Sequence, residues 1–295
     1  MRRIRVLSII IFVIAVLSFG IFRIVSLKDR DMTGPKITMA EESVTVSCEA
    51  AEEEMLAGIT ATDKRDGDVS DSLIVESMTN FIEKGRRNIT VAAFDSANHV
   101  SKATREIIYS DYHSPTFGME KPLKFPLNTE NILDGVSASD VLDGNLTANI
   151  KISSDYYVKV DQVGDYPVVL TVTNSAGDVS ELPVTVQIYD PTEERQNPQI
   201  ELSAYLVQTT PGTAVDPWSY VQSITLRGKD YVRGEDGVLR DTDPAENQER
   251  ISISQGEVSI SQDVDYNTPG VYEITYQFED EGDTGVIRLV VVVSQ

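Results

Sequence analysis

Two short acidic stretches are where this sequence could hold a metal ion. Asp63, Asp66 and Asp68 lie in "GITATDKRDGDVSD", which begins at Gly58, and Asp140, Asp143 and Asn145 lie in "GVSASDVLDGNLTA", which begins at Gly135. Calcium takes six to eight oxygen ligands, and closely spaced Asp and Asn side chains supply several of them. The competing reading is a tight turn in which the same side chains bond the local backbone. Neither stretch has the twelfth-position Glu of the helix–loop–helix calcium pattern, so the turn reading is preferred and no metal is assigned.

A second chemistry is stacking on sugar rings, for which Trp218, Tyr220, Tyr156 and Tyr157 are the candidates. Trp218 and Tyr220 stand where an entrance strand would pack, so burial competes with binding. Tyr166 and Tyr272 recur at equivalent places and read as core or corner residues. Catalysis finds no constellation. His99 falls in a predicted hairpin turn and His113 in a linker, and Cys48 is the sole cysteine. No Gly-x-Ser-x-Gly elbow or phosphate loop is present. Cys48, in the alternating "SVTVSC", reads as a small core residue, and no intrachain disulfide is possible. The expectation is a non-enzyme without cofactors.

The elements that must position these residues repeat. Gly58 and Gly135 each open a run of small and β-branched residues ending in Asp, then Asp-Gly-Asp or Asp-Gly-Asn. Gly85, Gly164 and Gly270 each open two alternating runs joined by a polar turn, "DSANH", "NSAGD" and "DEGDT". Period-two alternation around such a turn predicts a β-hairpin with one buried face. The spacing fits small β-sandwiches, predicted over residues 32–110, 111–190 and 196–295. The third is longer, and the excess at 227–250, charged and broken by Gly and Pro, reads as an inserted loop or hairpin. Acidic "CEAAEEEMLAG" from Cys48 is long enough for one helical turn.

These blocks resemble a bacterial Ig-like surface domain family of unknown function that also occurs in pesticidal crystal proteins. "GITATDKRDGDVSD" and "GVSASDVLDGNLTA" match the family's first half. "GDYPVVLTVTNSAGD" and "GVYEITYQFEDEGD" match its second. "DPWSYVQSI" from Asp216 stands for the first half in the third unit, without the Asp. The resemblance implies three tandem Ig-like sandwiches at a cell surface and implies no activity.

The N-terminus sets the expected location. Val6–Phe22 carries no charge and the apolar run reaches Leu27. At ~1.5 Å per residue, residues 6–27 give roughly 33 Å of helix, enough to span a bilayer. Arg2, Arg3 and Arg5 place residues 1–5 in the cytoplasm and the remainder outside. Cleavage near Ser18 and Gly20 as a signal peptide is the rival, and it too exports the rest. The chain has 25 Lys+Arg and 47 Asp+Glu, a net charge of −22. Six of those bases and one acid precede residue 31, which leaves 19 bases and 46 acids, or −27, beyond it. A surface this acidic repels phosphate backbones and disfavours nucleic-acid binding.

The expectation is an all-β ectodomain of three Ig-like sandwiches behind one transmembrane helix on a bacterial envelope. Its role would be structural, adhesive or protein-binding, with the third domain meeting the partner. The alternatives are a glycan-binding accessory protein for cell-wall or exopolysaccharide handling, and a non-catalytic subunit or sensor ectodomain of a membrane assembly.

Overall fold

Period-two alternation along the long runs dictates paired strands, and the molecule is built almost wholly from them. The structure, a computed structural model, describes residues 2–28, 32–194, 196–244 and 250–294, with side chains of the first helix described over 8–23. That helix, α1, is Arg2–Lys28. Ile9, Phe12, Ile14, Leu17 and Phe22 are all exposed on it, and at 100° per residue they point to every side. Among the described residues no helix is long and apolar enough to cross a membrane. The predicted span Val6–Leu27 extends at both ends beyond the described side chains, and its crossing is taken up as a proposal below.

The chain divides into two compact units, Met1–Tyr112 and His113–Gln295. The first unit holds β1 (Lys36–Met39), β2 (Ser43–Val46), α2 (Glu52–Leu56), β3 (Ile59–Asp63), β4 (Gly67–Asp68), β5 (Ile74–Glu83), β6 (Arg86–Phe94) and β7 (Val100–Tyr109). One sheet has the order β1-β3-β4 and the other β2-β7-β6-β5. The predicted hairpin from Gly85 is β6–β7, antiparallel from Arg86↔Ile108 to Phe94↔Val100. Ile59 and Ala61 from one sheet and Ile89, Val91, Ala93 and Ile107 from the other are buried, so the core lies between the sheets. The predicted helical turn is α2. Buried Arg105 of β7 holds it, donating from Nη1 to Met55 O at 2.9 Å and Ala57 O at 2.7 Å. Cys48 is half-buried instead of lying in the core, because β2 ends at Val46 and Cys48 falls in the turn that follows, where the strand alternation no longer holds.

The second unit opens with the same plan: β8 (Thr116–Met119), β9 (Lys124–Pro126), β10 (Val136–Asp140), β11 (Gly144–Asn145), β12 (Lys151–Ile152), β13 (Gly164–Thr173) and β14 (Val179–Tyr189). Its sheets run β11-β10-β8 and β12-β13-β14-β9. Phe117, Val136 and Ala138 meet Phe125, Val168, Leu170 and Val184 across the core.

Next in this unit come β15 (Gln199–Leu202), β16 (Leu206–Thr209), β17 (Val221–Leu226), β18 (Lys229–Arg233), β19 (Leu239–Asp241), β20 (Ser252–Ile253), β21 (Ser259–Gln262), β22 (Gly270–Asp280) and β23 (Asp283–Val293). The sheets run β15-β17-β18-β19-β20 and β16-β23-β22-β21. Of the two readings of the block at 227–250, loop or hairpin, its described part takes the hairpin: β17 turns back through Arg227 and Gly228, at φ 49° and 81°, into β18 and then β19. Two consecutive left-handed residues are what a tight hairpin turn requires. Residues 245–249 of that block lie outside the described residues.

The second and third domains share a seam inside this unit. Val290 of β23 is 3% exposed and belongs to the core of the second domain, beside partly buried Leu206, Val271 and Val292. Glu273 accepts from Thr185 N at 2.7 Å and Thr185 Oγ1 at 2.8 Å. Arg288 pairs with Asp165, and Lys124 with Glu194.

Candidate functional site

The acidic stretches and the hairpin turns meet at one end of the first domain and, likewise, of the second. Counting from Gly85, Gly164 and Gly270, the residue ten places on is Asp95, Asn174 or Asp280. This position is solved three ways.

In the second domain the network is complete. Asp140 Oδ1 accepts from Leu142 N at 2.6 Å and Asp143 N at 2.8 Å, and its Oδ2 accepts from Asn174 Nδ2 at 2.8 Å. Asn174 Oδ1 accepts in turn from Ala176 N and Asp178 N. Asp143 reaches across to Ser175, accepting from its N and Oγ, both at 2.6 Å. Asn145 Oδ1 accepts from Thr147 N at 2.9 Å.

The first domain repeats this almost atom for atom. Asp63 Oδ1 accepts from Arg65 N and Asp66 N. Asp66 takes Ser96 N at 2.8 Å and Ser96 Oγ at 3.0 Å. Asp68 Oδ1 takes Ser70 N and Oγ. Asp95 Oδ1 takes Ala97 N and His99 N, both at 2.8 Å. The difference is one group. Asp95 stands where Asn174 would donate, and Asp63 Oδ2 is buried with no hydrogen-bond partner. His99 Nδ1 lies 2.7 Å from Asp95 Oδ2. The N–H groups of Asp66 and Arg65 hold the Asp63 carboxyl below the usual carboxylate range, against burial and the charge of Asp95. Burial pushes Asp95 up, but the His99 N–H and ring carry it below its ordinary value.

The six predicted calcium residues are therefore spent as turn formers. Apart from Asp140 Oδ2, bonded to Asn174, and the unpartnered Asp63 Oδ2, the oxygens named above point at backbone N–H groups and serines, and among the described residues no three His, Cys, Asp or Glu side chains converge to hold a metal ion.

In the third domain the same end is an open groove. Asp280 pairs with Arg227 at 3.2 Å and Arg250 at 3.6 Å. Arg227 also reaches Glu281, and Arg250 reaches Glu257, each at 2.5 Å. Arg250 lies over the Phe278 ring. These residues, with Lys229 and the apolar Leu226, Tyr231 and Ile251, line about 890 Å³. The Arg227 hydrogen bond holds Glu281 below its usual range. The groove exists because β17 continues into the Arg227–Gly228 hairpin where the other domains close an Asp turn. The sequence feature that points to it is the charged insertion at 227–250.

No family model matches the chain. A stretch of 240 residues is 26% identical to part of the pesticidal crystal protein Cry22Aa of Bacillus thuringiensis, covering 79% of this chain and 29% of that protein. Over 125 residues it is 32% identical to an uncharacterized 81.3 kDa protein of Acholeplasma phage L2, covering 40% of this chain and 17% of that one. The chain thus spans less than a third of the length of either relative. Among solved structures, the lipoprotein BT2262 from Bacteroides thetaiotaomicron matches 60% of this chain and 98% of its own at 16% identity and a TM-score of 0.23. The CBM51-2 and INT domains of ZmpB from Clostridium perfringens, solved with GlcNAc, match 50% of this chain and 26% of theirs at 17% identity and 0.21. The protocadherin GammaB4 extracellular domain matches 90% and 50% at 14% and 0.19. Scores of this size establish no shared architecture across the chain. The Cry22Aa match fits the motif resemblance, and the mostly β fold agrees with it.

The sugar-stacking candidates separate. Trp218 is only 6% exposed, in the third core, with Nε1 donating to Gly237 O at 3.1 Å and Arg233 over its ring. It is a core residue, not a stacking platform, because no ring face is left open. Tyr220 packs on the same core. Tyr156 and Tyr157 are exposed, Tyr157 at 69%. Tyr166 and Tyr272 are corners: their hydroxyls donate to Gln162 O at 2.9 Å and Thr268 O at 3.0 Å. Sequence reasoning missed that the first domain replaces this corner with Arg87, which donates to the Tyr109 hydroxyl and stacks on its ring.

Proposed function

We propose that this chain is a non-catalytic, membrane-anchored extracellular module of a bacterial envelope. It carries three tandem Ig-like domains and binds a protein partner through its third domain. The observation that carries this reading is helix α1, whose apolar side chains are exposed on every side over residues 8–23. Such a helix has no amphipathic face to give to a protein core, and it finds its favourable surroundings in lipid. The acidic domains that follow suit an aqueous surface. The match to part of a bacterial crystal protein supports the bacterial setting.

The groove at Arg227, Arg250 and Asp280 is the surface we assign to the partner. It is the one repeat end left open instead of being closed by an Asp turn, and binding residues are commonly borne by loops and turns on a rigid scaffold. The glycan alternative loses Trp218 and rests on Tyr156 and Tyr157 alone.

Photo-crosslinking in native cells from a probe at position 229 tests the partner surface. Capture of one protein that Arg227→Glu weakens at least about tenfold, with display unchanged, supports the reading. Equal capture by wild type and variant discards it. For the anchor, protease added to wall-opened intact cells should remove everything beyond residue 31. Full protection would refute the topology.

A further inference from the structure

The first domain has a titratable joint where the second has an inert one. Asp63 is 6% exposed and its Oδ2 has no partner, while the side chain of Asp95 is fully buried. The repeat register makes Asp95 Oδ2 the counterpart of Asn174 Nδ2, so the two carboxylates face each other where an amide otherwise donates. Two buried carboxylates repel, and each lacks the water that would screen it. The positive group in contact with them is His99, through its 2.7 Å bond to Asp95. Among the described residues, other charged groups nearby do not fill the gap. Asp66 is engaged by Ser96, and Lys64, Arg65 and Asp68 on the same turn and Lys36 on β1 are exposed. Gly34, packed close to the His99 Cβ, brings no charge.

We propose that Asp63, Asp95 and His99 form a proton-operated latch that fastens the two turns of the first domain when His99 is charged and loosens them when it is neutral. The sign follows from the partner. A histidine that gains carboxylates on folding holds its proton more tightly folded than unfolded, so the latch is fully closed in mild acid and is lost as pH rises through the folded titration. The second domain has Asn174 and Asp178 at these places and no such dependence. A bacterial surface module with this latch stiffens in an acidified surrounding and relaxes in a neutral one.

Hydrogen exchange on the full-length chain in detergent, expressed as protection factors, resolves the two domains in one sample. From pH 5.5 to 8.5, protection over residues 59–68 and 94–101 should fall about tenfold, while residues 136–145 and 173–180 stay level. Asp95→Asn, which installs the second domain's arrangement, should keep protection high at both pH values. His99→Gln should fix it at the low level. Equal pH dependence in wild type and Asp95→Asn would overturn the latch. So would recovery of protection at pH 8.5 on adding 5 mM calcium chloride, roughly the millimolar range of extracellular calcium sites, because the gap would then be a metal site. Should the variants fail to fold, the His99 imidazole titration in wild-type protein decides. Coupling to opening of residues 59–68 supports the latch, and a titration that leaves those amides unmoved refutes it.

Discussion

The first and second domains of this protein share a strand plan and, at the turn-bearing end, a hydrogen-bond scheme matched nearly atom for atom. Between Asp140 and Asn174 every buried polar atom finds a complement. Between Asp63 and Asp95 the exchange of an NH₂ for an oxygen leaves Asp63 Oδ2 alone. The fold tolerates the swap because the backbone N–H bonds to Oδ1, which shape both turns, are untouched. A shared scaffold can therefore hold either a passive joint or a responsive one, and the choice rests on a single side-chain atom. The third domain goes further. It gives up the Asp turn, folds Arg227–Gly228 into a hairpin, and turns the same position, Asp280, into the anion of a salt-bridged groove.

The comparison breaks most visibly if the second domain is given the first domain's chemistry. Asn174→Asp sets a second carboxylate against Asp140 without the histidine, since position 178 is Asp. We expect a loss of about 3 kcal/mol in the stability of the second unit at pH 8, smaller at pH 5, read by urea unfolding. Little pH dependence would mean the pair is solvated. Next in size, Asp140→Ala strands Leu142 N, Asp143 N and Asn174 Nδ2, at about 2 kcal/mol. Asp63→Ala should cost less, because it also removes a repulsion; equal losses would end the contrast. Tyr166→Phe deletes one corner bond to Gln162 O and should lower stability by about 1 kcal/mol. The smallest effect is electrostatic. The Ser47 hydroxyl and Cys48 N–H hold the Asp111 carboxylate below its ordinary range. Its contribution is present above the unfolded titration and is lost as pH falls through the folded one. Asp111→Asn should flatten the acid side of the first domain's exchange profile.

Much of this was legible in the sequence. The alternating runs from Gly85, Gly164 and Gly270 locate the three long hairpins, because a period of two has only one satisfactory geometry. The Asp-Gly turns were legible as turns, since Asp side chains compete for nearby N–H groups. What the pattern did not carry is tertiary. Nothing local distinguishes Asp95 from Asn174 until the partner across the turn is known. Burial and stacking both stayed open for Trp218 because a composition signal does not say which ring faces are covered. The charged stretch at 227–250 left loop and hairpin open because its strands are short and its inward residues few, Tyr231 and Leu239 among them.

Val290 lies on β23, and its side chain completes the core of a domain whose own strands end at Tyr189. The interior of the second domain is therefore complete only once β23 has docked, and residues 113–190 by themselves would leave part of it open to water.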